Sequence, residues 1–251
     1  MGAPELPRRA RLALGVQRAL GFALSPLSTL AVALLLRAWL GLRFEGRDAL
    51  RRAYRQARRA SRAPLLICGN HLTMIDSALI AYALGSPLWY VTHYATLPWN
   101  VPDRGNFAST PLQRALVYVY KCLPIARGGP REQVASALAR FIHLLRRGDV
   151  GLIFPEGGRS RSGRVEVANA AYGVGRIVKS VPGCRVLCIY LRGDAQHGYS
   201  DLPARGDTVR ARIAWLEPKS HQSGLRGSLD ISRQILGRIA ELEREHFDAV
   251  A

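Results

Sequence analysis

The sequence predicts an α/β fold, with a mixed, mostly parallel sheet flanked by helices and preceded by an N-terminal apolar helical segment that binds a membrane. Two observations support this prediction. Beyond residue 62, short apolar runs of strand length alternate with helical patterns, which is typical of a sheet covered by helices. Residues 19–36 carry no charge, over a length close to that of a membrane span. We therefore divide the chain into a membrane-binding segment, residues 1–44, and an α/β domain, residues 45–251.

The uncharged run has arginines on both sides. They lie at Arg8, Arg9, Arg11, Arg18, Arg37, Arg43, Arg47, Arg51 and Arg52. A simple membrane span has one flank poorer in positive charge, and Pro26 interrupts the run near its middle. The pattern favours a helical hairpin broken at Pro26, or a helix lying in the interface, with both ends at the cytoplasmic face of the inner membrane. A signal peptide is the main alternative, although no small-residue cleavage site closes the run.

The chain is strongly basic, with 36 lysines and arginines against 18 acidic residues and a formal charge of +18. Such a bias indicates nucleic acid, an anionic membrane surface or an acidic partner. Residues 1–62 hold 13 arginines and 3 acids, interleaved with the apolar run, and no helix-turn-helix, zinc-finger or RNP signature is present. We therefore expect an anionic membrane surface as a partner, and no nucleic acid.

The four cysteines favour a reduced, cytosolic setting. They lie mostly within apolar runs, form no CxxC pair and have no histidine at zinc-ligand spacing: Cys68, Cys122, Cys184 and Cys188. Buried thiols are therefore expected, and no metal site is expected.

The elements of the α/β domain follow from local patterns of apolar and turn residues. Strands are predicted at residues 64–68, 88–92, 122–126, 150–154, 185–191 and 209–216. Helices are predicted at residues 76–84, 111–120, 130–147 and 169–178, with a final amphipathic helix near the C-terminus. Pro130 is expected at the first position of its helix, Ser228 is expected to cap the last helix, and residues 93–110 are expected to form a loop.

The first polar motif is formed by Asn70, His71 and Asp76, which follow the first of these strands and lead into a helix. Open α/β sheets bind ligands at the carboxyl ends of strands, so His71 is a candidate site residue. A tight turn can return the Asp76 carboxylate to the imidazole, where it would fix the tautomer and stabilise the imidazolium. The pair can then activate a hydroxyl as a general base. A structural histidine beside a helix capped by its own aspartate has the same spacing.

The second polar motif, residues 154–163, directly follows another buried strand and reads Phe-Pro-Glu-Gly-Gly-Arg-Ser-Arg-Ser-Gly. Its adjacent glycines free backbone N–H groups to approach an anion, and Arg159 and Arg161 add donors. Glu156 can bind an acceptor hydroxyl or hold an arginine in position. An ordinary polar turn is the alternative, but the placement after a strand favours a binding loop.

Together, the two motifs resemble blocks of the glycerolipid acyltransferase family, whose bacterial prototype acylates 1-acylglycerol-3-phosphate. The first block, Asn-His followed by four residues and Asp, is matched by Asn70, His71 and Asp76. The third block, Phe-Pro-Glu-Gly-Thr-Arg-Ser, is matched by residues 154–160, with Gly158 in place of threonine. The resemblance thus implies an acyltransferase of this family.

The resemblance also implies roles for individual residues. His71 would be the general base on the acceptor hydroxyl, and Asp76 would orient it. Arg127, Gly157 and Arg159 would hold the acceptor's phosphate, and Glu156 its glycerol. The hydroxyl would attack the thioester of acyl-CoA or of an acidic acyl-carrier protein directly, without a cofactor. This agrees with the lack of a serine-hydrolase elbow and of a cysteine in a reactive context.

Some features depart from the family pattern. The second and fourth blocks are matched only loosely, at residues 123–128 and 186–191, so that the resemblance covers roughly residues 60–195. The stretch after the third block lacks the lysine frequent in enzymes that use lysophosphatidate, and the fourth block lacks the usual Val-Pro pair. A lyso-lipid without a phosphate, such as a lyso-aminolipid, is therefore an open alternative. A silent membrane-binding relative and a lipid hydrolase are competing functions.

Overall fold

A mixed sheet lies at the centre of the protein, which we describe from a computed structural model over residues 6–126 and 128–249. Within these residues its strands are β1 Arg43–Phe44, β2 Leu65–Gly69, β3 Trp99–Asn100, β4 Val150–Ile153, β5 Arg185–Gly193 and β6 Thr208–Leu216. Their spatial order is β1-β6-β5-β2-β4-β3. Strand β2 is thereby central, with β5 on one side and β4 on the other.

Most neighbouring strands of this sheet are parallel. Strand β2 pairs in parallel with both β4 and β5, and the β3–β4 and β1–β6 pairs are parallel too. The pair β5–β6 is antiparallel. Every residue of β2 is buried, as expected for a parallel strand covered on both faces. The predicted fold class, a mixed and mostly parallel sheet flanked by helices, is confirmed.

Helices cover both faces of the sheet. In the described ranges they are α1 Arg8–Leu34, α2 Arg47–Ala60, α3 Asp76–Leu84, α4 Pro87–Thr92, α5 Arg104–Phe107, α6 Pro111–Val119, α7 Arg131–Arg146, α8 Tyr172–Ser180 and α9 Gly224–Asp248. Helices α7, α8 and α9 pack on one face around Phe141, Ile177 and Ile235. Helices α2 and α3 pack on the other around Tyr54 and Ile80. Both faces thus have their own core.

Helix α1 runs without a break through Pro26 and ends in a π-helical turn, Leu35–Trp39. The hairpin predicted to break at Pro26 is therefore wrong. Tertiary contacts explain the continuity, since α1 packs along α4 and α6, and Gln17 donates hydrogen bonds to the carbonyls of Tyr118 and Cys122 at 3.1 and 3.0 Å. These contacts offset the backbone hydrogen bond that proline cannot make.

Helix α1 turns its polar side towards the protein and its apolar side outwards, the reverse of an amphipathic helix in a soluble protein. Apart from Leu14, the buried residues on the side facing the protein are small or polar: Gln17, Gly21, Ser25, Ser28 and Thr29. The exposed side is apolar, with Leu12, Val16, Leu20, Phe22, Leu27, Leu30 and Leu34. In the described part of the chain, residues 8–39 form the one helix long and apolar enough to cross a membrane, a test that a signal sequence also passes. An exposed apolar face of this size marks a surface that water does not normally cover.

A partly buried ion cluster joins α1 to the rest of the protein. Arg18 pairs with Asp149, which directly precedes β4, and Asp149 also lies 3.7 Å from the Lys121 ammonium. Lys121 is fully buried and donates to the carbonyls of Tyr94 and Leu97 at 3.1 and 2.6 Å. Because Asp149 contacts both Arg18 and the buried Lys121, the cluster links α1 to the start of β4 and to the segment that contains Tyr94 and Leu97.

Three predicted elements differ from the structure. Residues 88–92 are helical, because Ser86 caps the N-terminus of α4 by accepting from the Trp89 N–H at 3.3 Å, with Pro87 in the first turn. Residues 122–126 form only two isolated bridges, so they are not a full strand. Within residues 93–110 lie a 3₁₀ turn, β3 and α5 rather than a plain loop.

Three predicted helix starts are also shifted. The helix predicted from residue 169 begins at Tyr172, after a 3₁₀ turn at Val167–Asn169. Pro130 occupies the N-cap of α7, one position before the expected site. Helix α9 begins at Gly224, so Ser228 lies inside the helix and its hydroxyl donates to the Gly224 carbonyl at 3.2 Å. Such a bond to the carbonyl four residues back is the usual use of serine within a helix.

Candidate active site

The residues after β2 are held in register with β5. The Asn70 side chain donates to the Leu191 carbonyl at 3.0 Å and accepts from the Leu191 N–H at 2.8 Å. It thus extends the pairing of β2 and β5 by one step, with a side chain in place of backbone. The chain leaves the sheet immediately afterwards, which puts His71 at the carboxyl end of the central strand, as predicted.

The Asp76 carboxylate lies at the first turn of α3 and is buried. One oxygen, Oδ2, lies 2.9 Å from His71 Nδ1 and accepts the N–H groups of Leu72 and Thr73 at 2.5 and 2.8 Å. The other, Oδ1, accepts the Thr73 hydroxyl at 2.6 Å. The Asp76 carboxylate therefore both stabilises the turn after β2 and orients the His71 imidazole. With Nδ1 as the donor to the carboxylate, Nε2 is left to accept a proton.

The imidazole is also fixed from the side. It stacks on Phe154, with ring centroids 4.0 Å apart and planes within 9°. His71 and Phe154 line a cavity of about 460 Å³, whose largely apolar walls come from the segment 97–107 and from helices α1, α3, α4 and α6. His71 thus presents a polar, orientable group at one side of a largely apolar cavity.

The loop after β4 is bonded to the loop after β2. The Ser160 N–H donates to the His71 carbonyl at 2.8 Å, and the Ser160 hydroxyl donates to the Arg164 carbonyl at 2.6 Å. Gly157 has a φ of 72°, a left-handed conformation that favours glycine. The two motifs predicted to form one site are therefore adjacent in the fold.

Arg159 lines the same cavity as His71. Its Nη1 donates to the Ser200 carbonyl and to Asp201 Oδ1, both at 2.9 Å, and its guanidinium lies over the Tyr199 ring at 5.4 Å. The loop after β5 therefore holds this arginine. Its N–H groups beyond Nη1 have no protein acceptor in the described ranges, so they can contact a ligand.

Glu156 lies in the same loop but does not line the cavity. Within residues 6–126 and 128–249, neither carboxylate oxygen has a hydrogen-bond partner of normal geometry, although both are shielded from solvent. Burial, followed by the charges of Glu166 and Glu243, raises the pKa of Glu156 to about 7. A buried carboxyl without a partner is costly to the fold and is common where a ligand supplies the partner.

The raised pKa of Glu156 predicts a pH-dependent stability. A raised carboxyl pKa favours folding below the unfolded value of about 4.5, and this contribution is lost as pH rises towards 7. Glu156→Gln removes the ionisation, so the wild type should lose about 1–2 kcal/mol of unfolding free energy relative to this variant between pH 4.5 and 7.5. Chemical unfolding in detergent at the two pH values measures the difference. Equal pH dependence in both proteins would contradict the prediction.

The structure brings together most, but not all, of the predicted site residues. His71, Asp76, Gly157 and Arg159 lie in connected loops at the carboxyl edge of the sheet, with Glu156 beside them. Arg127 lies outside the described residues.

The sequence prediction did not include the loop after β5. Its Ser200 N–H donates to the Leu72 carbonyl at 2.9 Å, and its Asp201 carbonyl accepts the Met74 N–H at 3.1 Å. The available signal was weak, since the loop is only a polar, glycine-containing stretch after a buried strand.

The acyltransferase family model matches residues 42–192, from the residue before β1 to the penultimate residue of β5. This range is more than half of the chain and includes both motifs with the site geometry described above. The chain belongs to the acyltransferase family. No curated protein matches the chain significantly. The family resemblance of the motifs is therefore confirmed, and the protein is an enzyme that transfers acyl groups.

The family match leaves out α1 and α9. Helix α1 and the π-helical turn that follows it contribute Ser28, Thr29, Val32 and Leu35 to the wall of the cavity, although they precede the matched range. Helix α9 follows the range and covers one face of the sheet through Ile231, Ile235 and Ile239. This acyltransferase thus completes its cavity and core with segments on either side of the family domain.

Proposed function

We propose that this acyltransferase moves a fatty acyl group from acyl-CoA or acyl-carrier protein to the hydroxyl of a membrane lyso-lipid, with 1-acylglycerol-3-phosphate as the first acceptor to test, in phospholipid biosynthesis. The observation that carries the proposal is the His71–Asp76 pair beside an apolar cavity. A general base next to space for a hydrocarbon chain is what acyl transfer to an alcohol requires.

The reaction follows from the position of the imidazole. His71 Nε2 takes the proton of the acceptor hydroxyl while its oxygen attacks the thioester carbonyl carbon. The C–S bond then breaks, and the departing thiolate takes the proton from the imidazolium. The Asp76 carboxylate stabilises the imidazolium between these steps through the 2.9 Å contact with Nδ1. The new ester and the free thiol account for every atom and electron.

The cavity is proposed to hold an acyl chain. Its volume of about 460 Å³ lies within the usual range for sites of small molecules. Its apolar walls include Ile75, Ala78 and Val117, while His71 stands at one side of it. A chain bound here would leave its carboxyl carbon near the imidazole, since the polar end of the ligand gains nothing from the apolar walls.

Two classes of acceptor head group remain, and each has a supporting observation. Arg159, together with Gly157 and Arg127, would bind a phosphate, and the N–H groups of Arg159 beyond Nη1 can serve this role. The Glu156 carboxyl, which makes no hydrogen bond of normal geometry within the described residues, favours instead a hydroxyl or amine donor, as in a lyso-aminolipid. The phosphate class is our first candidate because of Arg159's position at the cavity.

An acceptor panel tests the proposal. The purified protein is incubated with a labelled acyl-CoA, or the same acyl chain on carrier protein, and a set of lyso-lipids that differ only in head group. Labelled ester on one acceptor supports acyl transfer and identifies the head group. Label in free fatty acid would indicate a lipid hydrolase, and no turnover under any condition would indicate a silent membrane-binding protein.

Membrane association is part of the proposal, with α1 held at the cytoplasmic face of the inner membrane. The exposed apolar side of α1 and the arginines around it support burial in lipid together with attraction to anionic head groups. Leu88 on α4 and Leu112 on α6 are also highly exposed, and both helices pack against α1. The lipid-facing surface therefore extends beyond the N-terminal segment.

Charges placed on this surface should prevent membrane binding. The double variant Leu27→Lys/Leu30→Lys should reduce flotation with anionic vesicles by at least about 10³-fold, because each lysine in a hydrocarbon environment costs about 2.5–3.5 kcal/mol and every 1.4 kcal/mol is about tenfold. The matched control is Leu202→Lys/Leu225→Lys, which adds the same charge at exposed leucines outside α1, α4 and α6. Equal flotation of the two variants, each made by cell-free synthesis with vesicles, would contradict the assignment of this surface.

A further inference from the structure

Arg192, next to the last residue of β5, bridges two loops from inside the protein. Its Nε donates to the Gln196 carbonyl at 2.7 Å, and its Nη2 donates to the His197 carbonyl at 3.1 Å. Its Nη1 donates to the Gly163 carbonyl at 2.7 Å and to the Tyr190 hydroxyl at 3.2 Å. The residue is only 7% exposed. One guanidinium therefore ties the loop after β4 to the loop after β5.

The two loops also touch each other where Arg192 joins them. Gly163 has a φ of 70°, and a Cβ at this position would lie 2.7 Å from the His197 carbonyl oxygen and 2.9 Å from the Gly198 Cα. Only glycine fits this contact without a shift of backbone. The junction is therefore closely packed and is held by several independent contacts.

Both loops reach the candidate active site directly. The loop after β4 donates from Ser160 to the His71 carbonyl, and the loop after β5 donates from Ser200 to the Leu72 carbonyl. The Ser200 carbonyl and Asp201 also hold the Arg159 guanidinium. A change in the spacing of the two loops would consequently move the cavity-lining arginine relative to the catalytic histidine.

Helix α9 supports the junction from the other side. Glu243 accepts the Val165 N–H at 3.2 and 3.3 Å and the Tyr190 hydroxyl at 3.3 Å. Phe247 covers the Arg192 guanidinium, with 5.1 Å between the guanidinium carbon and the ring centroid. Glu243 and Phe247 both lie beyond the family match, so this support is a feature of the chain's own C-terminal helix.

We propose that Arg192 is a positioning residue, which sets the distance between the acceptor-binding Arg159 and the His71 base; the proposal rests on the acyl transfer proposed above. The planar guanidinium suits the role because its N–H groups point in fixed directions towards separate loops. A lysine has one nitrogen on a flexible stem, so it can satisfy one loop but cannot hold both. Loss of the contacts that orient metal ligands typically costs about 10–100-fold in activity, and we expect a loss of similar size here.

The test is Arg192→Lys, with Arg210→Lys as the matched control. Arg210 lies on β6 and pairs with the carboxylates of Asp194 and Glu45, so its replacement keeps charge and removes only surface ion pairs. Arg192→Lys should raise the acceptor KM about 10-fold or more and lower kcat, while the donor KM and the control variant stay near wild type. A role in folding alone would lower the active fraction, and therefore kcat, with both KM values unchanged; that result would overturn the proposal.

A second measurement does not depend on turnover. Amide hydrogen exchange in residues 157–163 and 195–202 should increase at least about 10-fold in Arg192→Lys and remain unchanged in Arg210→Lys, since local opening governs exchange. Unchanged exchange in both loops would overturn the positioning role even if acyl transfer is observed. If the wild type transfers no acyl group to any acceptor, the proposed function fails, while faster exchange in both loops would still establish that Arg192 joins them.

Discussion

Replacing His71 with alanine is expected to lower kcat by about 10²–10⁴-fold, the usual contribution of a general base. The imidazole is held for this role by the 2.9 Å contact with Asp76 and by the stack on Phe154. No other histidine lines the described cavity, and the Asp103 carboxylate that also lines it caps α5 by accepting the Asn106 N–H at 3.1 Å. Steady-state transfer of a labelled acyl group to the best acceptor measures the loss.

A control separates lost chemistry from lost packing. His93 is exposed and stacks on the Trp89 ring at 5.3 Å, so His93→Ala removes a similar aromatic contact away from the cavity. We expect this control to retain wild-type kcat. We expect the thermal midpoint and vesicle binding of His71→Ala to stay near wild type. A folded His71→Ala protein with wild-type turnover would exclude His71 as the base.

Replacing Asp76 with asparagine is expected to lower kcat by about 10²-fold. In the wild type, Oδ2 accepts hydrogen bonds from the N–H groups of Leu72 and Thr73 and contacts His71 Nδ1. The asparagine oxygen should therefore occupy this position, because the amide nitrogen cannot accept these bonds. The amide nitrogen would then donate to the Thr73 hydroxyl, which can also accept. The imidazole keeps its orientation but loses the negative charge that stabilises the imidazolium, and this loss lowers kcat.

The size of the effect distinguishes two arrangements of the variant. A loss near 10⁴-fold would indicate that the amide is reversed and the imidazole tautomer is wrong. A kcat within threefold of wild type would contradict a role for Asp76 in the reaction. The double variant His71→Ala/Asp76→Asn should be no worse than His71→Ala alone, because the carboxylate acts through the imidazole.

Much of the site could be predicted because its signals are local. Only four residues lie between His71 and Asp76, and a tight turn before a helix is the simple way to bring their side chains together, as the structure shows. The β2, β4 and β5 segments are continuous apolar runs, which a sheet buried on both faces requires. The two motifs are adjacent because each directly follows a buried strand of a parallel pair, and the carboxyl ends of parallel strands meet at the same edge of the sheet.

Other features depend on contacts that leave no pattern in the sequence. Pro26 is a helix-breaking signal, but packing against α4 and α6 keeps α1 continuous. Residues 88–92 are rich in strand-forming aromatic and branched side chains. They nevertheless form a helix, because Ser86 caps its N-terminus and Pro87 lies in its first turn. Arg192 donates to the backbone carbonyl of Gly163, and because any residue type can supply a backbone carbonyl, the sequence does not reveal this contact. Such contacts become visible only when the fold is known.

The release of thiol from a labelled acyl thioester tests the central claim most directly, namely that His71 activates an acceptor hydroxyl for direct transfer. Thiol release and ester formation are measured together, with and without the best lyso-lipid, for the wild type and His71→Ala. We predict that thiol appears only when both acceptor and His71 are present, in equal amount to the new ester, and that no label remains on the protein. Thiol release by the wild type without an acceptor, or an acyl group bound to the protein, would contradict direct transfer.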